Sequence, residues 1–223
     1  MRETHPDTRS LRPGIVEIWP IPLVGDTERH IRTLSRTERA RLRRRRGTDA
    51  DRFAIAHGTM RQVLGRYLGC APAAVPLRAR HGEAPQTPGL RLSLSHSEQL
   101  ALLAVSNSTV GVDIEDLAAS EDSGLTDVAE LTLSPSELAA LEQTSPRERG
   151  RAWLRSWTRR EAVLKAKPDA LTDRSISDLD VTRDTVLDLS VGDLDVGPRY
   201  VAAIASGLSE PNIVWKELAG ERQ

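Results

Sequence analysis

The chain has 223 residues, a formal net charge of −1 and one cysteine, Cys70, so an internal disulfide and a cysteine-rich zinc site are excluded. That length suits one large domain or two small ones sharing an interface, and no segment has the charged start and apolar stretch of a signal peptide or the length of a membrane span, so a soluble cytoplasmic protein is expected. The near-neutral balance conceals an asymmetry: Arg29, Arg32, Arg36, Arg39, Arg41 and Arg43 to Arg46 make one stretch basic, whereas the span from Asp169 to Asp195 is rich in aspartate, so anionic ligands should collect at the basic stretch.

Residues 1–14 are polar and carry prolines, the pattern of a disordered tail. Ile15-Val16-Glu17-Ile18-Trp19 then begins a strand. Ser35 with Glu38 three residues on reads as a capping box opening a basic helix. Phe53, Ala56, Met60, Val63, Leu64 and Tyr67 recur at helical spacing, which predicts a helix over 51–68 that Gly69 stops. A loop rich in proline and glycine over 71–89 leads to the strand Leu90-Arg91-Leu92-Ser93-Leu94-Ser95-His96-Ser97. The apolar runs 100–105 and 110–114, joined through Asn107-Ser108, have the look of a hairpin. Ser134-Pro135-Ser136-Glu137 is a second helix start, and 149–167 reads as a longer helix ended by Pro168. Short alternating stretches over 176–196 precede Tyr200 to Ala205 and Asn212 to Trp215, which suggest a closing hairpin. No short internal repeat is visible. Even so, helices with a small antiparallel sheet recur in the same order in 15–107 and 108–223. The expected class is therefore α+β, with two similar α/β subdomains related by a pseudo-twofold axis and a ligand cleft between them.

The chemistry concentrates in two segments. In Val110-Gly111-Val112-Asp113-Ile114-Glu115 the alternation has the period of a strand, which puts Asp113 and Glu115 on one face, roughly 6–7 Å apart, within reach of one cation. Oxygen ligands without cysteine or clustered histidine suit Mg²⁺, with Mn²⁺ as a substitute, the rest of the shell coming from water and a phosphate-bearing substrate. In Trp157-Thr158-Arg159-Arg160-Glu161-Ala162-Val163-Leu164-Lys165 the acid and the lysine share one helix face. Each feature also has an ordinary reading. Asp113 and Glu115 could be the solvated face of an edge strand; Glu161 and Lys165 a plain i,i+4 ion pair; His96 a histidine satisfying buried polar groups. Trp153 and Trp157 read as core, the Arg41 to Arg46 run as a solvated helix face, and Cys70 as an inert filler.

Leu92-Ser93-Leu94-Ser95-His96-Ser97, then Val110 to Glu115, then Trp157 to Ala166, with Leu34-Ser35-Arg36-Thr37-Glu38-Arg39 upstream, form a specific ordered signature. The chain from Val16 to Leu218 thereby resembles the 4′-phosphopantetheinyl transferases of the surfactin-synthetase-activating type. The resemblance implies transfer of the phosphopantetheine arm of coenzyme A to a serine of an apo acyl or peptidyl carrier protein, releasing adenosine 3′,5′-bisphosphate. By position it makes Asp113, Glu115 and Glu161 the Mg²⁺ ligands. Glu161 would also take the serine proton, and Lys165 would neutralise the leaving phosphate. Ser95 and His96 would contact coenzyme A phosphates, Arg52 would meet the 3′-phosphate, and Arg36 or Arg39 would line the cleft. It further implies a monomer with a coenzyme A side in 15–107 and a metal and carrier side in 108–223, the carrier docking beside 117–141. No nucleic-acid or membrane partner is expected. Two departures stand out: Gly82-Glu83-Ala84 replaces a common Gly-Lys-Pro, with Arg78 or Arg80 as substitutes for the lost lysine, and Lys167-Pro168-Asp169 replaces a glycine-containing turn. Two other classes remain open at this point. One is a weakly active homologue that binds a carrier or coenzyme A; the other is a metal-dependent nuclease or nucleic-acid binder, less favoured because the basic stretch lacks interleaved aromatics.

Overall fold

The computed structural model describes residues 11–77, 86–120, 125–172 and 175–218. The first half runs β1 (Ile15–Pro22), α1 (Thr27–Thr33), α2 (Arg36–Leu42), α3 (Gly47–Leu68), a short 3-10 turn, β2 (Gln86–Thr87), β3 (Leu90–Ser97) and β4 (Leu100–Ser106). The capping box expected at Ser35 and Glu38 is formed, and Gly69 closes α3 in the left-handed conformation at φ 61°. β1 lies antiparallel to β4 with Val16 opposite Ser106, and β3 lies antiparallel to the other edge of β4 with Arg91 opposite Ser106. Because side chains alternate across a strand, Trp19, Ile21, Leu92, Ala101, Leu103 and Val105 face Ile55, Met60, Val63 and Leu64 of α3. Leu11 packs against the same core, and residues 1–10 of the expected tail lie outside the described residues.

The second half repeats the order: β5 (Val110–Asp116), α4 (Leu125–Thr132), α5 (Pro135–Glu142), α6 (Pro146–Ala166), β6 (Thr185–Val186), β7 (Leu189–Leu194) and β8 (Tyr200–Ser206), followed by β9 (Asn212–Trp215). Among the described residues the strands form two sheets, in the orders β2-β3-β4-β1-β9 and β5-β8-β7-β6. Leaving β9 aside, β2-β3-β4-β1 and β6-β7-β8-β5 are the same arrangement. The sheets stack through Val16, Ile18, Leu102 and Ala104 on one side and Val110, Val112, Ile114, Ala202 and Ile204 on the other. Ala162 and Val163 of α6 cover the far face of the second sheet with Leu189, Val191, Ala203 and Ala205. The result is an α+β molecule layered α3, sheet, sheet, α6. Each fully buried aliphatic side chain contributes about 1.5–3 kcal/mol, and truncating a central one such as Leu102 costs about 2–5 kcal/mol. No helix of the described residues is long and apolar enough to cross a membrane.

Two expected hairpins do not form. Both edges of β4 are already paired, with β1 and β3, so β5 cannot join it across Asn107 and Ser108 and instead opens the second sheet. Likewise β8 sits between β5 and β7, and β9 crosses back to run parallel to β1, with Ile15 opposite Asn212 and Ile18 opposite Trp215.

One device pins each half. Glu38 of the first capping box takes a hydrogen bond from Nε of Arg61 in α3, whose Nη1 also donates to the Pro72 and Val75 carbonyls at 2.9 and 3.2 Å. Glu137 of the second capping box takes one at 2.5 Å from Arg160 in α6, whose guanidinium also donates to the Ile176 and Leu179 carbonyls at 3.2 and 2.8 Å. In both cases the arginine follows its glutamate by 23 residues and the pair is buried.

Candidate active site

The site forms where α6 meets β5. Gly111, Asp113 and Glu115 share the face of β5 turned toward α6, and a Cβ on Gly111 would overlap the Ala162 carbonyl and lie 2.7 Å from the Ala166 nitrogen. Only a glycine lets the helix rest on the strand backbone here. That close approach brings Glu161 and Lys165 over the two strand carboxylates. Lys165 Nζ donates to Asp113 Oδ1 at 2.5 Å and to Ser95 Oγ at 2.9 Å, and Ser95 Oγ donates to the same Asp113 oxygen at 2.7 Å. Lys165 therefore pairs across the interface rather than along its own helix.

Although β5 is an edge strand, Asp113 is only 3% exposed, which excludes the reading of a solvated edge. Its second oxygen, Oδ2, is buried with no hydrogen-bond partner. A buried acceptor left unsatisfied costs about 1–3 kcal/mol, more when charged, so this atom calls for a donor or a cation. Burial first, and the Asp113 charge second, push both the Glu115 and Glu161 carboxyls above the ordinary carboxylate value. Lys165 pulls both back down, helped by a hydrogen bond from Ser97 at Glu115 and by Arg160 at Glu161. Three acids facing one ammonium hold an excess of negative charge that a divalent cation would relieve, and the donor set is all oxygen, as Mg²⁺ prefers. The residues thus fit such an ion. Among the described residues, no three of these side chain types already converge into a ready-made nest.

The remaining sequence candidates lie around this centre. Ser95 and His96 are neighbours on β3 and point to opposite faces: Ser95 reaches the carboxylate centre, whereas His96 is exposed on the side of α3. Desolvation, then the charges of His57, Lys165 and Arg45, lower the His96 pKa and keep its imidazole neutral more readily. Arg52 of α3 forms an ion pair of 2.6 Å with Glu98 at the β3–β4 turn. Arg36 is exposed at the start of α2, and Arg39 bonds the Arg32 carbonyl at 3.0 Å. Arg41 and Arg45 lie over the Phe53 ring at 5.3 and 4.6 Å, and that ring packs on His57 at 4.1 Å. Trp153 and Trp157 are half-buried rather than core, stacked at 5.8 Å in line with Glu161 and Lys165. Arg78, Arg80 and Glu83 lie outside the described residues.

Sequence reasoning missed two contributors: Gly111, and the alternate serines of β3 beyond Ser95. Ser93 Oγ accepts the Val112 N–H at 3.0 Å, and Ser97 Oγ accepts the Asp116 N–H at 2.8 Å while donating to Glu115 Oε2 at 3.2 Å. The signal was present, since serine at every second position of a strand marks one continuous polar face in a segment that is otherwise leucine-rich.

Comparison with known proteins points to one family. A profile of the 4'-phosphopantetheinyl transferase superfamily matches residues 109–205, the span that carries Asp113, Glu115, Glu161 and Lys165. The 4'-phosphopantetheinyl transferase HetI of Nostoc sp. (strain PCC 7120) is 32% identical over 178 residues, covering 74% of this chain and 74% of its own length.

Proposed function

This chain belongs to the 4′-phosphopantetheinyl transferase superfamily, enzymes that place phosphopantetheine on carrier proteins, and from that premise we propose a Mg²⁺-dependent transfer from coenzyme A to the serine of an apo acyl or peptidyl carrier protein. Asp113, Glu115 and Glu161 are the residues that would hold the metal. The observation that carries this reading is the buried, unpartnered Asp113 Oδ2 facing an excess of carboxylate charge. A bound divalent ion would draw charge from the pyrophosphate oxygens and favour in-line displacement.

The chain's own groups supply the rest. Glu161, whose raised proton affinity suits a base, accepts the proton of the carrier serine. The serine oxygen bonds to the phosphorus that bears the pantetheine arm. The bridging P–O bond breaks, and adenosine 3′,5′-bisphosphate leaves with the electron pair. Lys165, which balances Asp113 in the free enzyme, turns its ammonium to the leaving phosphate. Ser95, His96, Arg36 and Arg52 are assigned to the coenzyme A phosphates, Arg52 exchanging Glu98 for the 3′-phosphate. Residues 15–107 then form the coenzyme A side and 108–223 the metal and carrier side. The carrier docks beside 117–141, where Leu131 is 74% exposed, and the enzyme acts as a monomer.

The test is intact-mass spectrometry of several apo carriers incubated with the protein, coenzyme A and Mg²⁺, with and without chelator. A gain of one phosphopantetheine arm that chelator abolishes is the expected result. No gain on any carrier, beside an active transferase that modifies them all, would overturn the reading in favour of a binding homologue.

A further inference from the structure

The serines of β3 do more than fill the seam between the sheets. Among the described residues β5 is the outer strand of its sheet, and one of its edges has no strand partner. β3 belongs to the other sheet, yet its side chains meet that edge at regular intervals. Ser93 Oγ takes the Val112 N–H at 3.0 Å and Ser97 Oγ takes the Asp116 N–H at 2.8 Å. Between these two rungs Ser95 departs from the pattern: its hydroxyl donates to the Asp113 carboxylate at 2.7 Å and accepts from Lys165.

Ser97 is the more informative rung. A hydroxyl has one proton to give, and Asp116 N–H already occupies an acceptor position on Ser97 Oγ, which turns the Ser97 proton outward. It points to Glu115 Oε2 at 3.2 Å. Asp116 is itself fixed, buried and paired with Arg199 at 2.7 Å, so the backbone that orients Ser97 is held in place. Asp113 and Glu115 each therefore receive a hydroxyl from a strand in the opposite half of the molecule.

We propose that Ser97, together with Ser95, is a positioning residue that presents the Glu115 and Asp113 carboxylates to the cation. The inference rests on the metal assignment above and adds to it Ser97, which touches neither metal nor substrate, and a second task for Ser95 beside its assignment to the coenzyme A phosphates. It also makes the site a joint product of the two halves, because the carboxylates come from one sheet and the groups that aim them from the other. Outer hydrogen-bond partners of this kind typically change metal affinity by about 10–100-fold when removed.

The experiment is a titration of the full chain with Mn²⁺, without coenzyme A or carrier, reading free Mn²⁺ by electron paramagnetic resonance, with thermal melting in parallel. Ser97→Ala is expected to weaken Mn²⁺ binding by on the order of tenfold with an unchanged melting temperature. Ser97→Thr, which keeps the hydroxyl, should restore it to within about twofold. An Mn²⁺ affinity unaltered in Ser97→Ala, or a loss that Ser97→Thr does not restore, overturns the inference and leaves the metal assignment standing. If the unsubstituted protein binds no Mn²⁺ while Glu115→Ala transfers normally, the metal assignment itself falls and takes this inference with it.

Discussion

The two halves of this molecule share a frame and differ in what they place on it. Aligned through their strand partners, Val16 opposite Ser106 corresponds to Val110 opposite Ser206, so Glu17, Trp19 and Ile21 of β1 occupy the positions of Gly111, Asp113 and Glu115 of β5. Aligned on the buried arginines Arg61 and Arg160, Gln62 and Arg66 of α3 occupy the positions of Glu161 and Lys165 of α6. In the first half, Trp19 meets Tyr67 edge-on at 6.4 Å and Tyr67 reaches Glu17, so the helix rides on large side chains and encloses an apolar core. In the second, Gly111 lets the helix sit on bare backbone, and the same face carries Asp113 and Glu115, which share their electrostatic environment with Glu161 and Lys165 of the helix. One scaffold thus carries an apolar core on one side and a cluster of charged groups on the other. The contrast arises from side-chain volume at one strand position and from charge at three others, since Arg66 and Lys165 are both cationic.

The sharpest way to break this comparison is to remove the acids and their counterparts in turn. Asp113→Ala or Glu161→Ala should lower the transfer rate by at least about 10³-fold with the fold retained, while Gln62→Ala, at the position of Glu161, should leave it within about twofold. Carrier mass shifts over time would read both, and near-normal turnover in Asp113→Ala would sink the site. Next comes Gly111→Ala, whose methyl must push α6 off the strand. Overpacking of this kind costs about 1–3 kcal/mol, and because it displaces Glu161 and Lys165, transfer should fall further than stability alone explains. Chemical denaturation beside a rate assay separates the two.

The shared pinning device offers a test of sameness instead of difference. Glu38→Ala and Glu137→Ala each strand a buried guanidinium and should each cost about 3–5 kcal/mol in urea denaturation. Strongly unequal losses would mean that the two pins are not equivalent. Acid provides a finer reading of the first pin. Burial works to raise the Glu38 carboxyl, but its contacts with His57, Ser35 and Arg61 hold it down at about 2 against an ordinary 4.5. A depressed carboxyl stabilises the fold fully above its ordinary value. That contribution, on the order of 3 kcal/mol, is lost as pH falls from 4.5 toward 2. Stability measured across that window should decline in the parent chain and decline less in Glu38→Gln. The smallest expected change is in Arg52→Ala, which should raise KM for coenzyme A several-fold and leave KM for the carrier unaltered.

The local elements of this protein were legible without its structure. Ser35 with Glu38 and Ser134 with Glu137 announced helix starts, Gly69 and Pro168 announced stops, and the alternation through Val110 to Glu115 put Asp113 and Glu115 on one face, all because caps and strand periodicity depend on residues a few positions apart. The ordered segments around Ser95, Asp113 and Glu161 likewise marked the family before any contact was known. Strand partnership was not legible. Whether β5 joins β4, or β9 joins β8, depends on which strand edges are still free, and that is decided by the whole sheet rather than by the turn between two strands. The same holds for the environment of the acids. The sequence determined that Asp113, Glu115, Glu161 and Lys165 exist at the right spacings. Only the tertiary structure decided that Asp113 is buried, that Lys165 turns to it rather than to Glu161, and that serines from another sheet reach the carboxylates, because those outcomes follow from the close approach of α6 at Gly111 and from the stacking of two sheets.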